Sequence, residues 1–222
     1  YATDGSVYEV LPIGVVFPRS RGDVVRVMEY CHERGVPVLP RGGGTSLAGQ
    51  AVNEAVVLDF KRYMNAVLDV EPADNRARVQ AGVVLDRLDA QLALHDLEYV
   101  PKPSPSDRTT IGGAIGNNTT GSRSLKYGMT HDHIEAVTVV FSDGTVETLG
   151  EIAVSDLRER GDPEGNAAER FYAEVDRIIE HESEAIEAAF PGIQRNVSGY
   201  NLDVVVEQAG SGTVNLASLI VG

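Results

Sequence analysis

The residues best suited to chemistry lie in one run, Pro40-Arg41-Gly42-Gly43-Gly44-Thr45-Ser46-Leu47-Ala48-Gly49-Gln50. A short apolar segment, Val36-Pro37-Val38-Leu39, leads into it, and two hydroxyl residues follow the glycines. Glycine has no Cβ, so it tolerates positive φ and lets backbone N–H groups come close to a ligand. Successive exposed N–H groups make a concave anion site suited to a phosphate or pyrophosphate. Arg41 would add a charged, forked donor beside it. Taken alone, the run fits a phosphate loop and a plain turn equally well.

Two familiar nucleotide motifs fail on spacing. From Gly44 to Gly49 the outer glycines match a P-loop, but Gln50-Ala51 stands where Lys-Ser/Thr is required. Gly42 and Gly44 lack the third Rossmann glycine, because position 47 is leucine, and no helix pattern follows the loop directly. ATP hydrolysis and the usual NAD site both lose ground.

A second unusual stretch runs from Pro101 to Thr130. Pro101, Pro103 and Pro105 stiffen its start. Then come Thr110-Ile111-Gly112-Gly113-Ala114-Ile115-Gly116-Asn117-Asn118 and Thr119-Thr120-Gly121-Ser122-Arg123-Ser124. This is too long for an ordinary connection, and loops of such length are functional or disordered. Ile111, Ala114, Ile115 and Leu125 supply apolar anchors, which argues for order. A helix start with tight glycine packing is the alternative.

The elements that must hold these stretches are legible as periodicity. Gly14 to Phe17 reads as a strand; Ser20 with Asp23 caps a helix whose apolar side is Val24, Val27, Met28 and Cys31; Gly35 stops it. With Val36 to Leu39 this makes a β-α-β unit whose second strand ends on the glycine run, where open sheets commonly bind ligands. Ala55 to Asp59 is strand-like, and Ala66–Val70 and Ala77–Ala81 flank a turn at Pro72-Ala73-Asp74-Asn75. Leu85, Leu88 and Leu92 mark a helix running to about His95. Glu135–Phe141 and Thr145–Leu149 form a hairpin about Ser142-Asp143-Gly144. Residues 150–166 read as a polar loop, and Ala167 to Phe190 as one long amphipathic helix ended by Pro191-Gly192. Its row Glu169, Glu174, Asp176, Glu180, Glu182, Glu184 and Glu187 reads as a solvated face rather than paired catalytic carboxylates.

Composition excludes several classes. The 222 residues carry a formal charge of −14, and of 19 basic residues only Lys61, Lys102 and Lys126 are lysines. Such acidity argues against a nucleic-acid partner. It suits a protein that stays soluble in high salt, where self-repulsion is screened. No apolar run reaches the length of a membrane span, and no signal-peptide pattern opens the chain, although it starts at Tyr1 rather than Met. Cys31 is the only cysteine, so no disulfide, zinc or iron–sulfur site can be built within the chain, and Cys31 reads as a core residue in a reduced, cytoplasmic protein. The sequons at Asn118 and Asn196 are then incidental. His131-Asp132-His133 is a weak metal signal, and no metal ligands are assigned.

In their joint order these blocks resemble the FAD-binding domain of the vanillyl-alcohol oxidase and p-cresol methylhydroxylase superfamily. Within it, the chain resembles more closely the branch of D-lactate dehydrogenase and the glycolate oxidase flavin subunit. Val16-Phe17-Pro18 with the helix and strand after it, Pro40 to Gly49, Thr110 to Gly128, and Ser198-Gly199-Tyr200-Asn201-Leu202-Asp203 with Leu219-Ile220-Val221-Gly222 carry the resemblance over nearly the whole chain. It implies an α+β fold of two subdomains, residues 1–62 with the pyrophosphate loop and 63–222 with a larger mixed or antiparallel sheet flanked by helices, and FAD extended between them. It implies cofactor contacts from Pro40, Arg41, Gly42, Gly43, Gly44, Thr45, Ser46 and Gln50, from Pro105, Ser106, Thr110, Ile111, Gly112 and Gly113, and from Gly116, Asn117, Asn118, Gly121, Ser122 and Tyr127. Some relatives attach the flavin through a histidine near the first loop. Position 44 is glycine here and no histidine lies between residues 33 and 94, so FAD is expected to be non-covalent.

Ser104-Pro105-Ser106-Asp107-Arg108 departs from the branch's usual local pattern, and the chain ends at Gly222, before the family's last flavin-lining segment and substrate cap. The expectation is a flavin cradle without its catalytic half: part of an FAD-linked 2-hydroxy-acid dehydrogenase, inactive alone, with no catalytic residue in this chain. A 2-hydroxy acid and an electron acceptor are the implied partners, with an iron–sulfur domain or subunit outside the chain and a cytoplasmic location, peripheral at the inner membrane face as a variant. A sugar-nucleotide reductase on the same flavin fold and a flavin-binding or assembly module without turnover are the rivals.

Overall fold

The computed structural model describes residues 1–190, 192–193 and 199–222. Expectations resting on Pro191, on the Asn196 sequon and on Ser198 lie outside the described residues.

The β-α-β unit forms as its periodicity demands. Strand β1 (Gly14–Val16) leads to helix α1 (Arg21–Glu33) and strand β2 (Val38–Arg41). The Ser20 hydroxyl accepts from the Asp23 N–H at 3.2 Å, while the Asp23 carboxylate accepts from the Ser20 N–H at 3.0 Å, a reciprocal cap that starts α1. Strand β3 (Val56–Asp59) lies between β1 and β2, parallel to both, with Gly14 and Val38 each opposite Val56. Val57 and Leu58 are fully buried, as expected of a central parallel strand. All three strands therefore end on the same edge, and the glycine run leaves from β2 there.

Strands β4 (Val67–Glu71) and β5 (Arg76–Val79) form a hairpin whose turn is a 3-10 segment closed by Asn75 in the left-handed region, φ 55. Helix α2 (Leu85–Leu92) follows, and its Leu85, Leu88 and Leu92 pack with Val83, Tyr99, Ile111 and Ala114 into one core cluster. The stretch expected to be ordered loop contains two short helices, α3 (Ile111–Ile115) and α4 (Ser124–Tyr127). Ile111 and Ala114 are buried anchors as expected, whereas Leu125 is 66% exposed. A 3-10 turn, Thr130–His133, leads to the hairpin of β6 (Val137–Val140) and β7 (Val146–Leu149).

Residues 150–166, expected as loop, hold strand β8 (Glu151–Ala153) and helix α5 (Val154–Arg160). The reason is tertiary: β8 pairs with a strand far along the chain, and buried Leu157 fixes a helix that has no capping side chain. The long helix expected from Ala167 to Phe190 is interrupted at Glu182, giving α6 (Ala167–His181) and α7 (Ser183–Ala189). The Ser183 hydroxyl donates to the Ile179 carbonyl at 2.6 Å, a back-bond that bends helices. The acidic face is partly paired, because Arg177 bonds Glu174 and Glu182, and Arg158 from α5 bonds Asp176.

Helix α8 (Leu202–Ala209), strand β9 (Thr213–Asn215) and helix α9 (Leu216–Ile220) complete the chain, with β9 antiparallel to β8. Leu149, Leu157, Tyr172, Val175, Val205, Val214 and Leu216 form the second core cluster. The fold class is α+β as expected, and among the described residues the antiparallel strands form separate two-stranded ladders rather than one larger sheet.

Candidate cofactor-binding site

The glycine run and the glycine-rich segment that opens at Thr110 lie against each other. A Cβ on Gly42 would strike Thr110 Oγ1, and one on Gly43 would strike the Arg108 carbonyl oxygen, with Thr109 Cα at 3.5 Å. Backbone bonds carry the register between them. Phe60 N–H reaches the Arg41 carbonyl at 3.1 Å, Gly82 N–H the Met64 carbonyl at 2.9 Å, and Gly112 N–H the Ala81 carbonyl at 2.8 Å. Leu85 and Ile111 add bonds to Thr109 and Val83. Residues 105–112 are thereby laid along 81–86, directly under the glycine run.

Within the first loop, Gly44 has φ +65, the left-handed region that suits glycine, with the Arg41 Cζ 3.0 Å from where its Cβ would stand. Among the described residues, the N–H groups of Gly42, Gly43, Gly44, Thr45, Ser46 and Leu47 have no hydrogen-bond partner. A continuous run of unused donors at the carboxyl edge of a parallel sheet is the feature an anion requires. Ser46 stiffens the loop, because its Oγ accepts from the Ala48 and Gln50 N–H groups, each at 3.3 Å, and its hydroxyl is bonded to the Gln50 side-chain oxygen. Pro40 is exposed at the end of β2.

Arg41 does not spend its fork on this anion site. Its Nη1 donates to the carbonyls of Ala51 at 2.7 Å and Tyr1 at 3.2 Å, and Nη2 to that of Thr3 at 2.8 Å. The guanidinium thus ties the first residues of the chain onto the loop. Tyr1 donates to Asp59 Oδ2 at 2.5 Å at the end of β3; burial and this bond push its hydroxyl pKa up to about 12. Asp4 accepts from the Ala51 N–H at 3.2 Å. No spacing pattern marks Tyr1 or Asp4 in the sequence, since residues 1–13 show no periodicity.

The second segment spends more of its donors internally. Thr110 caps α3 by accepting from the Gly113 N–H at 3.2 Å. Ile111, Gly112 and Gly116 donate to Val83, Ala81 and Gly112 carbonyls, and Asn117 Nδ2 donates to the Gly113 carbonyl at 3.1 Å. The Pro105 carbonyl accepts from Arg108 and Thr109, and that of Ser106 from Asp86. Gly121 N–H donates to Ser124 Oγ at 2.9 Å, and its α-carbon lies so close to the Lys102 carbonyl that no side chain fits. Ser122 and Tyr127 are exposed and hold hydroxyls available to a ligand. Asn118 is fully buried and turned to His131, a pairing that the sequence, weighing that histidine only as a metal ligand, does not disclose.

The third block closes on itself. Asn201 Nδ2 donates to the Ser218 and Val221 carbonyls at 2.9 and 2.6 Å, which joins Tyr200–Asp203 to Leu219–Gly222. Helix α9 and helix α3 both pack against the Thr130–His133 turn, so the second and third blocks meet there. Among the described residues no group of His, Cys, Asp and Glu could hold a metal ion, and no helix is long and apolar enough to cross a membrane.

Comparison with known proteins gives the family of the chain. The family described as FAD binding domain matches residues 12–150. The D-2-hydroxyglutarate dehydrogenase of Pseudomonas putida is 36% identical over 226 residues, taking in 100% of this chain and 22% of the relative. The glycolate oxidase subunit GlcD of Escherichia coli (strain K12) is 38% identical over 157 residues, 69% of this chain and 31% of the relative. The chain therefore spans between a fifth and a third of the length of these relatives. The solved structure of 6-hydroxy-D-nicotine oxidase from Arthrobacter nicotinovorans aligns with a TM-score of 0.59 at 27% identity, over 68% of this chain and 32% of that one. FAD is the ligand that the unused donors and the adjoining small-residue wall fit, and the chain belongs to the FAD binding domain family.

Proposed function

We propose that this chain is the FAD cradle of an oxidoreductase that takes a hydride from the α-carbon of a 2-hydroxy acid. The observation that carries the proposal is the unpartnered row of N–H groups from Gly42 to Leu47, set on the carboxyl edge of β2 against Thr109 and Thr110. Bound FAD supplies a ring that accepts a hydride and passes electrons onward; the protein's part is placement and tuning. Gly42–Ser46 would hold the pyrophosphate through backbone N–H groups, with the Thr45 hydroxyl beside them. Gly113 and Gly116 would let flat rings approach the backbone, Gly112 and Gly121 let the segment pack against the Ala81 and Lys102 carbonyls beside it, and Ser122, Asn117 and Tyr127 offer polar contacts. Pro105, Ser106 and Ile111 shape the wall beneath. Residues 1–62 and 63–222 are the two subdomains of this reading.

The substrate class rests on the relatives, which are named for D-2-hydroxyglutarate and glycolate. An electron acceptor beyond the chain, including an iron–sulfur domain or subunit, and a cytoplasmic setting belong to the same proposal. The test is a titration of the purified chain with FAD, followed by quenching of flavin fluorescence and by thermal shift, with ATP as comparison. Saturable FAD binding that Gly43→Glu abolishes supports the cradle. Stabilisation by ATP and not by FAD would overturn it.

A further inference from the structure

Asn118 is 0% exposed and has φ 39, a left-handed conformation that needs local support in a non-glycine residue. The support comes from one residue at two points. Asn118 Oδ1 accepts from the His131 backbone N–H at 3.1 Å, and Nδ2 lies 3.0 Å from His131 Nδ1. A backbone N–H can only donate, so Oδ1 is fixed as its acceptor and the Nδ2 hydrogen faces the ring. Nδ1 is then the accepting, unprotonated nitrogen, and Nε2, 3.2 Å from Asp132 Oδ1, carries the ring proton. One residue along, Thr130 Oγ1 donates to the Thr119 carbonyl at 2.7 Å and shares a bond of 3.0 Å with the Tyr99 hydroxyl. The pairs 118 with 131 and 119 with 130 close the two ends of segment 120–129, which carries Gly121, Ser122 and Tyr127.

We infer that His131 is a positioning residue for the cofactor: neutral, it holds Asn118 at two points and closes segment 120–129; protonated at Nδ1, it loses the bond to Asn118 Nδ2 and loosens that closure. The inference rests on the reading that this segment lines FAD. A proton on Nδ1 would face the Asn118 Nδ2 hydrogens and cost the 3.0 Å bond; its remaining acceptor is Oδ1, 3.3 Å away, which would then be shared with the His131 N–H. The titratable groups around the ring are Asp132 at Nε2, Tyr99 through Thr130, and His133, whose Nε2 meets the Tyr127 carbonyl at 2.8 Å. Helices α3 and α9, which pack on this turn, carry no titratable side chain.

Hydrogen exchange of the 119–131 amides in the ligand-free protein, corrected for intrinsic rate, tests the clamp between about pH 7.5 and about pH 5.5, with FAD titrations alongside. The expected result is a loss of protection of roughly tenfold on acidification, with weaker FAD binding in step. In His131→Gln, which cannot titrate, the pH dependence disappears from both readouts. Asn118→Asp offers the imidazolium an anionic acceptor, so the dependence reverses and protection is greater at the lower pH. Equal protection at both pH values in the unaltered protein, or an unchanged pH dependence in His131→Gln with native circular dichroism, would overturn the inference. If no protein binds FAD at either pH, the cofactor reading fails, while the exchange data still decide the clamp.

Discussion

The carbonyl oxygen of Arg108 fills the place where a side chain on Gly43 would begin. The absence of a Cβ there therefore serves contact between two loops as much as approach to a ligand. Gly43→Ala should destabilise the protein by about 1–3 kcal/mol through overpacking. Chemical denaturation measures this. FAD affinity should fall with it, because the row of free N–H groups is displaced together with the loop. A Gly43→Ala protein of unchanged stability would show that the contact yields easily.

Arg41 spans the carbonyls of Tyr1, Thr3 and Ala51 with a planar fork. Lysine, a compact point charge, cannot reproduce that spread. Arg41→Lys should cost about 1.5–3 kcal/mol, the range for hydrogen bonds from a charged group. It should also speed proteolytic removal of residues 1–13. Mass spectrometry of timed digests gives the comparison, and equal cleavage rates would mean that the N-terminal segment is held by other contacts.

Burial pushes the Tyr99 hydroxyl up to about 12 from an ordinary value of 10.0, and Tyr1 is raised to a similar value. The native state then holds these protons where the unfolded chain has lost them. The stability they contribute is complete below pH 10 and disappears as pH rises towards 12. Melting temperature should accordingly drop over that interval. Tyr99→Phe should be less stable near neutrality, having lost the bond to Thr130, and its alkaline decline should be shallower. Parallel slopes for the two proteins would contradict the assignment.

A formal charge of −14, with most basic residues arginine, makes self-repulsion the main long-range field on this molecule. Molar potassium chloride should raise the melting temperature well beyond the change seen for a protein of balanced charge, since screening at that ionic strength reaches to about 3 Å. Full stability at low ionic strength, with no gain from salt, would reject the high-salt reading.

Elements with a strong internal period were legible in the sequence. Ser20 and Asp23 announce α1, Leu85, Leu88 and Leu92 announce α2, and the glycine run follows β2 as expected, although the strand runs two residues further than Leu39 and takes in Pro40 and Arg41. What stayed hidden depends on partners distant in the chain. Strand β8 is three residues long and exists because β9 pairs with it. The break at Glu182 follows a single hydroxyl turning back to Ile179. Asn118 and Asn117 look alike as polar neighbours, yet one is buried against His131 and the other is exposed. Composition names a wall of small residues; it does not say which donors that wall has already used.

The position of β3 between β1 and β2 has a consequence for biosynthesis. The outer strands never touch, so the sheet cannot zip up in the order in which it is made. While a ribosome is extending the chain, β1 and β2 wait with unpaired edges until Val56–Asp59 has left the exit tunnel and slipped between them. Only then does the segment from Gly42 to Ala55 become a closed crossover. The nascent glycine loop is thus a tether first, and acquires its shape as the last act of assembling the sheet it hangs from.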